Sequence, residues 1–272
     1  MASVSSNPAF QNSPAFSTRQ STAQQLVPTT ATLTAEQLNQ MYESPSATSA
    51  DTGRMGYEDT IVKIASSFAI LVVGAVVGWV FPALFLPAAL IGFVLAMVNI
   101  FKKQPSPALI LSYAAVEGVF VGGISKFFET QYAGIAMQAV IGTFVVIGVT
   151  LALFASGKVR ASKRATKVFM IAMIGYVVFS LINFGLMVTG VNTEPFGLRS
   201  LDILPGVPLG ALIGIFVILL AAYSLVLDFD SIKTGVERGA PRIYGWTAAF
   251  GIMVTVVWLY LEILRLLAIF RE

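Results

Sequence analysis

The segment Leu225–Ile232, LVLDFDSI, ends a long apolar run with two carboxylates, Asp228 and Asp230, after no charge at all from Pro208 to Leu227. A third acid, Glu262, interrupts VVWLYLEILRLL, and a fourth, Glu117, lies in LSYAAVEGVFVGG. An ionisable group inside hydrocarbon costs about 2.5–3.5 kcal/mol on insertion scales, so each is a functional candidate by default. The chemistry open to such acids is proton exchange and weak cation coordination. Two carboxylates in contact away from bulk water cannot both ionise cheaply, so a pair would hold one proton between them. Each acid also has a plainer reading. Asp230 suits interfacial water beside Lys233, and Asp228 suits a helix end of the same kind. Glu262 has Arg265 three residues on, on the same helical face, which allows an internal ion pair. Glu117 is followed by Gly118, Gly122 and Gly123, whose small size suggests close helix approach, and the acid would then bond a neighbouring helix.

Composition narrows the chemistry. Of 272 residues, 56% are hydrophobic and 11% charged, against roughly 25% charged in soluble domains. The membrane class follows. Cysteine is absent, which removes disulfides, thiolate nucleophiles and zinc–thiolate sites. Histidine is absent too, so neither a Ser-His pair nor an HExxH metal site can be built. A pH response near neutrality must then come from carboxylates. There is no GxGD segment, and no lysine after Lys233 to carry a retinal Schiff base. The chain is therefore expected to be neither an enzyme nor the holder of a tightly bound cofactor. Its net charge of +3 is segregated along the chain, which reads as a topology signal and not as a nucleic-acid footprint.

Residues 1–56 are polar and rich in Ser, Thr, Ala, Gln, Asn and Pro, and read as a disordered tail with room for a protein-docking motif in the near-repeat Asn7–Phe10 and Ser13–Phe16. Residues 57–272 hold seven apolar runs, at about 60–80, 84–101, 108–127, 132–155, 166–189, 207–228 and 245–269. Each is near the ~20 residues that span a bilayer, and each must be helical because hydrocarbon cannot satisfy open backbone groups. The expected class is an all-α membrane protein with seven transmembrane helices. Lys and Arg cluster on the side of the tail: Arg54, Lys63, Lys102, Lys103, Lys158, Arg160, Lys163, Arg164, Lys167, Lys233, Arg238 and Arg242. The other side has Lys126, Arg199 and Arg271, with Arg265 inside the last span. This asymmetry predicts a cytoplasmic amino terminus and an outer carboxyl terminus.

With these stretches in hand, the chain from about residue 57 onward resembles the Bax inhibitor family of transmembrane Bax-inhibitor-motif proteins, in its bacterial type. SLVLDFDSIK, at the end of the sixth span, is similar to the family's aliphatic run, Asp, three residues, then Ile and often Lys, and so places Asp228 on the first functional aspartate. LYLEILRLL is similar to the family's LYLDF segment and places Glu262 on the second. GTFVVIGVTLALFASGK in the fourth span is also alike. The resemblance implies a proton-sharing pair, Asp228 with Glu262, that senses pH and gates a slow calcium leak, the two acids touching calcium weakly and in passing. It also implies a closed-state latch at the end of the second span, which falls on Lys103 with Lys102 beside it. Glu117 would be a further acid along the pathway. Bacterial relatives imply the plasma (inner) membrane, with lipid, protons and calcium as partners and no nucleic acid. The alternative is a non-transporting regulator that binds a membrane protease or a cell-death-type protein, through residues 1–56.

Two departures stand out. Glu replaces the second Asp, and Asp228 and Glu262 are 34 residues apart, about ten more than the resemblance leads one to expect. If the last helix starts near Tyr244, Glu262 lies 18 residues in, about 27 Å from the entry. A shared proton then requires a later start, or a sixth helix that continues past Val236.

Overall fold

The structure, a computed structural model, describes residues 53–204 and 206–271. The expected tail therefore lies outside the described residues, apart from its last four. Seven long helices follow: α1 Tyr57–Val80, α2 Phe85–Phe101, α3 Pro107–Gln131, α4 Ile135–Ala155, α5 Lys163–Val188, α6 Leu209–Glu237 and α7 Gly245–Ile269. All seven are long and apolar enough to cross a membrane, so this is an all-α membrane protein. Local sequence explains the boundaries. A 3-10 turn at Pro82–Leu84 joins α1 to α2, and Pro107 opens α3 where a missing N–H costs nothing. The Ser162 hydroxyl caps α5 by accepting from the Ala165 N–H at 3.2 Å. The end where α1, α3, α5 and α7 begin carries most of the Lys and Arg and is called the basic end below.

The last helix is the centre of the bundle, packed against α6, α1, α4 and α3. One buried cluster joins α4, α6 and α7 through Ile135, Ala139, Leu225, Leu259 and Leu264. A second joins α1, α3 and α7 through Leu71, Ile110, Tyr113, Met253 and Val257. Lipid tails are as apolar as these side chains, so shape complementarity and backbone approach have to hold the helices together. The closest approach is between α1 and α3. Gly74 and Gly78 of α1 face Gly118 and Gly122 of α3, and a Cβ at any of the four would fall on a backbone carbonyl of the other helix. The α3 glycines are legible in the sequence as a contact; their α1 partners carry the same small-xxx-small spacing. Gly122→Val is expected to cost at least the about 1–3 kcal/mol of ordinary overpacking, because the obstacle is backbone. Gly148→Val, where nothing lies within 4 Å, should be tolerated. Recovery of folded, monodisperse protein after extraction compares the two.

Three features depart from expectation. The sixth helix does not stop near residue 228 but runs to Glu237, so Asp228 is not a helix-end acid. Residues 53–56, grouped with the tail by composition, pair with the turn between α6 and α7. Met55 N–H donates to Ala240 O at 2.7 Å, Arg242 N–H donates to Gly53 O at 2.9 Å, and Met55 is buried. The connection from α5 to α6 contains a two-stranded ribbon, β1 Asp202–Leu204 with β2 Val207–Pro208, turning at Gly206 with φ +77. Of the seven, α5 has the least of its surface buried; it touches α6, the 3-10 turn Gly197–Ser200 and, through Tyr176, α7.

Candidate functional site

Asp228 projects from α6 onto α7. The Thr255 hydroxyl donates to its Oδ2 at 2.7 Å. With that hydrogen committed, the Thr255 oxygen is free to accept from the Ser224 hydroxyl, 3.3 Å away. The other carboxylate oxygen lies against Gly251, where a Cβ would stand 3.3 Å from Oδ1. Asp228 is nine residues from the end of α6 and Thr255 ten from the start of α7, which puts both about 14–15 Å inside the basic end. Asp228 is half-buried and forms no ion pair among the described residues.

Glu262 is elsewhere. It sits seven residues beyond Thr255 on α7, two helical turns or about 10 Å nearer the opposite end. Its side chain is buried and accepts from the Tyr176 hydroxyl and from Arg265 Nη1, the latter at 2.8 Å. Arg199 Nη1 lies 3.7 Å from its second oxygen, an ion pair too long for a hydrogen bond. The expected Asp228–Glu262 contact is therefore not formed. The physical reason is that α7 begins at Gly245, which carries Glu262 past the level of Asp228 to a place where two guanidinium groups meet it. The internal pair with Arg265, open in the sequence, is present.

Arg199 was not foreseen as more than an outer charge. The loop delivers it inward: Asn183 Oδ1 accepts from Leu198 N–H at 2.6 Å, and Asn183 Nδ2 donates to Phe196 O at 3.3 Å. Gly197, at φ +62, leaves no room for a Cβ beside Asn183 and Met187. The buried guanidinium donates to Tyr176 Oη at 3.1 Å and Ser180 Oγ at 3.3 Å, and lies over the Tyr176 and Phe179 rings. Buried Arg199 and half-buried Arg265 around one buried carboxylate clamp α5, the loop and α7 together.

The other sequence candidates are separate from both groups. Glu117 is ten residues into α3, about 15 Å from the basic end, and its carboxylate lies against Gly92 of α2, where a Cβ would meet Oε2 at 2.9 Å. Lys102 and Lys103 are exposed just beyond α2, and neither forms an ion pair among the described residues. Lys233 pairs with Glu237 at 3.8 Å and not with Asp230 as expected. Among the described residues no group of three or more carboxylates could hold a metal. Thr255 is the other residue missed. Its 27-residue separation from Asp228 is closer to the expected spacing than the 34 of Glu262.

No curated protein matches the chain. The sequence model of a family described as Bax inhibitor 1 like matches residues 7–272, taking in most of the polar segment that the resemblance had left out. With seven helices apolar enough to cross a membrane and a match over nearly all of its length, the chain belongs to the Bax inhibitor 1 like family.

Proposed function

We propose that this protein is a pH-sensitive cation leak that carries calcium down its gradient, with Asp228 as the titrating acid and Glu117 as a second acid at similar depth. The observation that carries this reading is the state of Asp228: a carboxylate well inside the bundle, hydrogen-bonded to a neutral hydroxyl and unpaired with any cation among the described residues. Glu262 has two guanidinium partners and is occupied. Family membership supports calcium as the ion. Asp228, Thr255 and Ser224 supply far fewer oxygens than the six to eight of a tight calcium site, which suits an ion that must also leave. The sign follows from charge. As pH falls Asp228 takes up a proton, the neutral acid no longer attracts a cation, and flux drops.

The test is calcium entry into dye-loaded liposomes, with the full chain and with a chain lacking residues 1–50. Entry several-fold faster at pH 8 than at pH 6, unchanged by the deletion, is the expected result. No entry above protein-free liposomes at either pH rejects the leak. Loss of entry on deletion favours a regulator acting through the amino-terminal segment.

A further inference from the structure

We propose that the crevice between the start of α5 and the middle of α6 at the basic end is a binding site for one anionic glycerophospholipid. Its phosphate would lie on Lys163 and Lys167, and an acyl chain would run along Met170 and Leu227. Three observations meet there. A shallow, open groove of about 560 Å³ lies between the two helices, lined by Lys163, Thr166, Lys167, Met170, Leu227 and Asp230. Along the two helices its lining passes from charged residues nearer the basic end to Met170 and Leu227 further in, the amphipathic order of a lipid entering hydrocarbon. Five exposed cations, Lys158, Arg160, Lys163, Arg164 and Lys167, fall within ten residues, and none forms an ion pair among the described residues. Basic clusters beside a membrane helix attract anionic headgroups. The groove also holds Asp230, which repels a phosphate, but the surrounding cations outnumber it.

The packing of α5 supplies the third observation. At its basic end α5 touches α6 through Thr166 and Ser162, both on the Tyr223 hydroxyl, at 3.1 and 3.4 Å. At its far end it is held by Tyr176, Ser180 and Asn183. Between these fastenings the helix exposes Val168, Met170, Ile171 and Ile174. A hydrocarbon chain in the crevice would give it the side-chain contact that the protein does not provide. Lipid is favoured over a soluble phosphate compound because the groove continues from charge into apolar surface.

The experiment uses the full chain in non-ionic detergent and adds phosphatidylglycerol, phosphatidylcholine or inorganic phosphate. Bound lipid is counted by native mass spectrometry and stability is followed by thermal unfolding. Retention of one phosphatidylglycerol, with a rise in Tm that neither phosphatidylcholine nor phosphate gives, is expected. The double variant K163Q/K167Q should weaken that retention at least tenfold, while K102Q/K103Q, which removes equal charge from the same end, should keep it. Equal effects of the two lipids, a shift with phosphate alone, or equal losses in the two double variants would overturn the site. If K163Q/K167Q does not fold, Met170→Trp, which fills the crevice, is the second variant; undiminished phosphatidylglycerol retention there also overturns it.

Discussion

Replacing Asp228 by asparagine is expected to lower calcium entry into liposomes at pH 8 by at least about tenfold and to abolish the difference between pH 8 and pH 6. Asparagine has the size of aspartate and can still accept from Thr255, so the change isolates the charge. A unit charge about 4 Å from another at an effective dielectric near 20 is worth about 4 kcal/mol. A divalent ion passing Asp228 feels more than this before hydration is considered, and a third of that figure is already about tenfold. Thr255→Val should leave the pH dependence in place, since the acid remains, and Glu117→Gln should reduce entry at both pH values alike. A pH 8 to pH 6 ratio in Asp228→Asn equal to that of the wild type would remove Asp228 from the mechanism.

The second large effect is on stability. Glu262→Ala leaves Arg199 and Arg265 facing each other with no carboxylate between them. Removing one partner of a buried ion pair typically costs about 3–5 kcal/mol, because the remaining charge keeps its desolvation penalty. Here two charges are left, and only Arg265 has partial exposure, 34% of its side chain. The expected order of loss is Glu262→Ala, then Arg199→Ala, then Arg265→Ala. Arg199→Ala also releases the loop from Tyr176, Phe179 and Ser180, so proteolysis between residues 190 and 208 should accelerate in that variant. Thermal unfolding in detergent measures the order, and a Glu262→Ala protein that melts with the wild type would show the cluster to be energetically idle.

These two acids also show where sequence reading succeeds and where it fails. The seven spans were legible because hydrocarbon imposes length and composition on every crossing, and six of the seven helices end within about four residues of the apolar runs. Asp228 was legible because a charge after twenty uncharged residues has to be accounted for. The partner was not. The match that points to Glu262, LYLE, is local, whereas contact depends on how far each helix penetrates, and the apolar run at 207–228 hides nine further helical residues of α6. Thr255 gives no signal as a neutral residue among Val and Met. Arg199 was misread because its inward turn is made by Asn183 and Gly197, two residues that hydropathy leaves unmarked.

The glycine seam between α1 and α3 has a dynamic consequence. Helices whose backbones touch at four positions cannot slide or tilt against one another without opening a void along the whole seam, so the two behave as a single rigid post. Rearrangement that admits an ion must be taken up elsewhere, and α5, with the least of its surface buried, is the helix with most room to move. Spin labels on α1 and α3 should therefore hold one separation across pH, and a label on α5 should report the excursion.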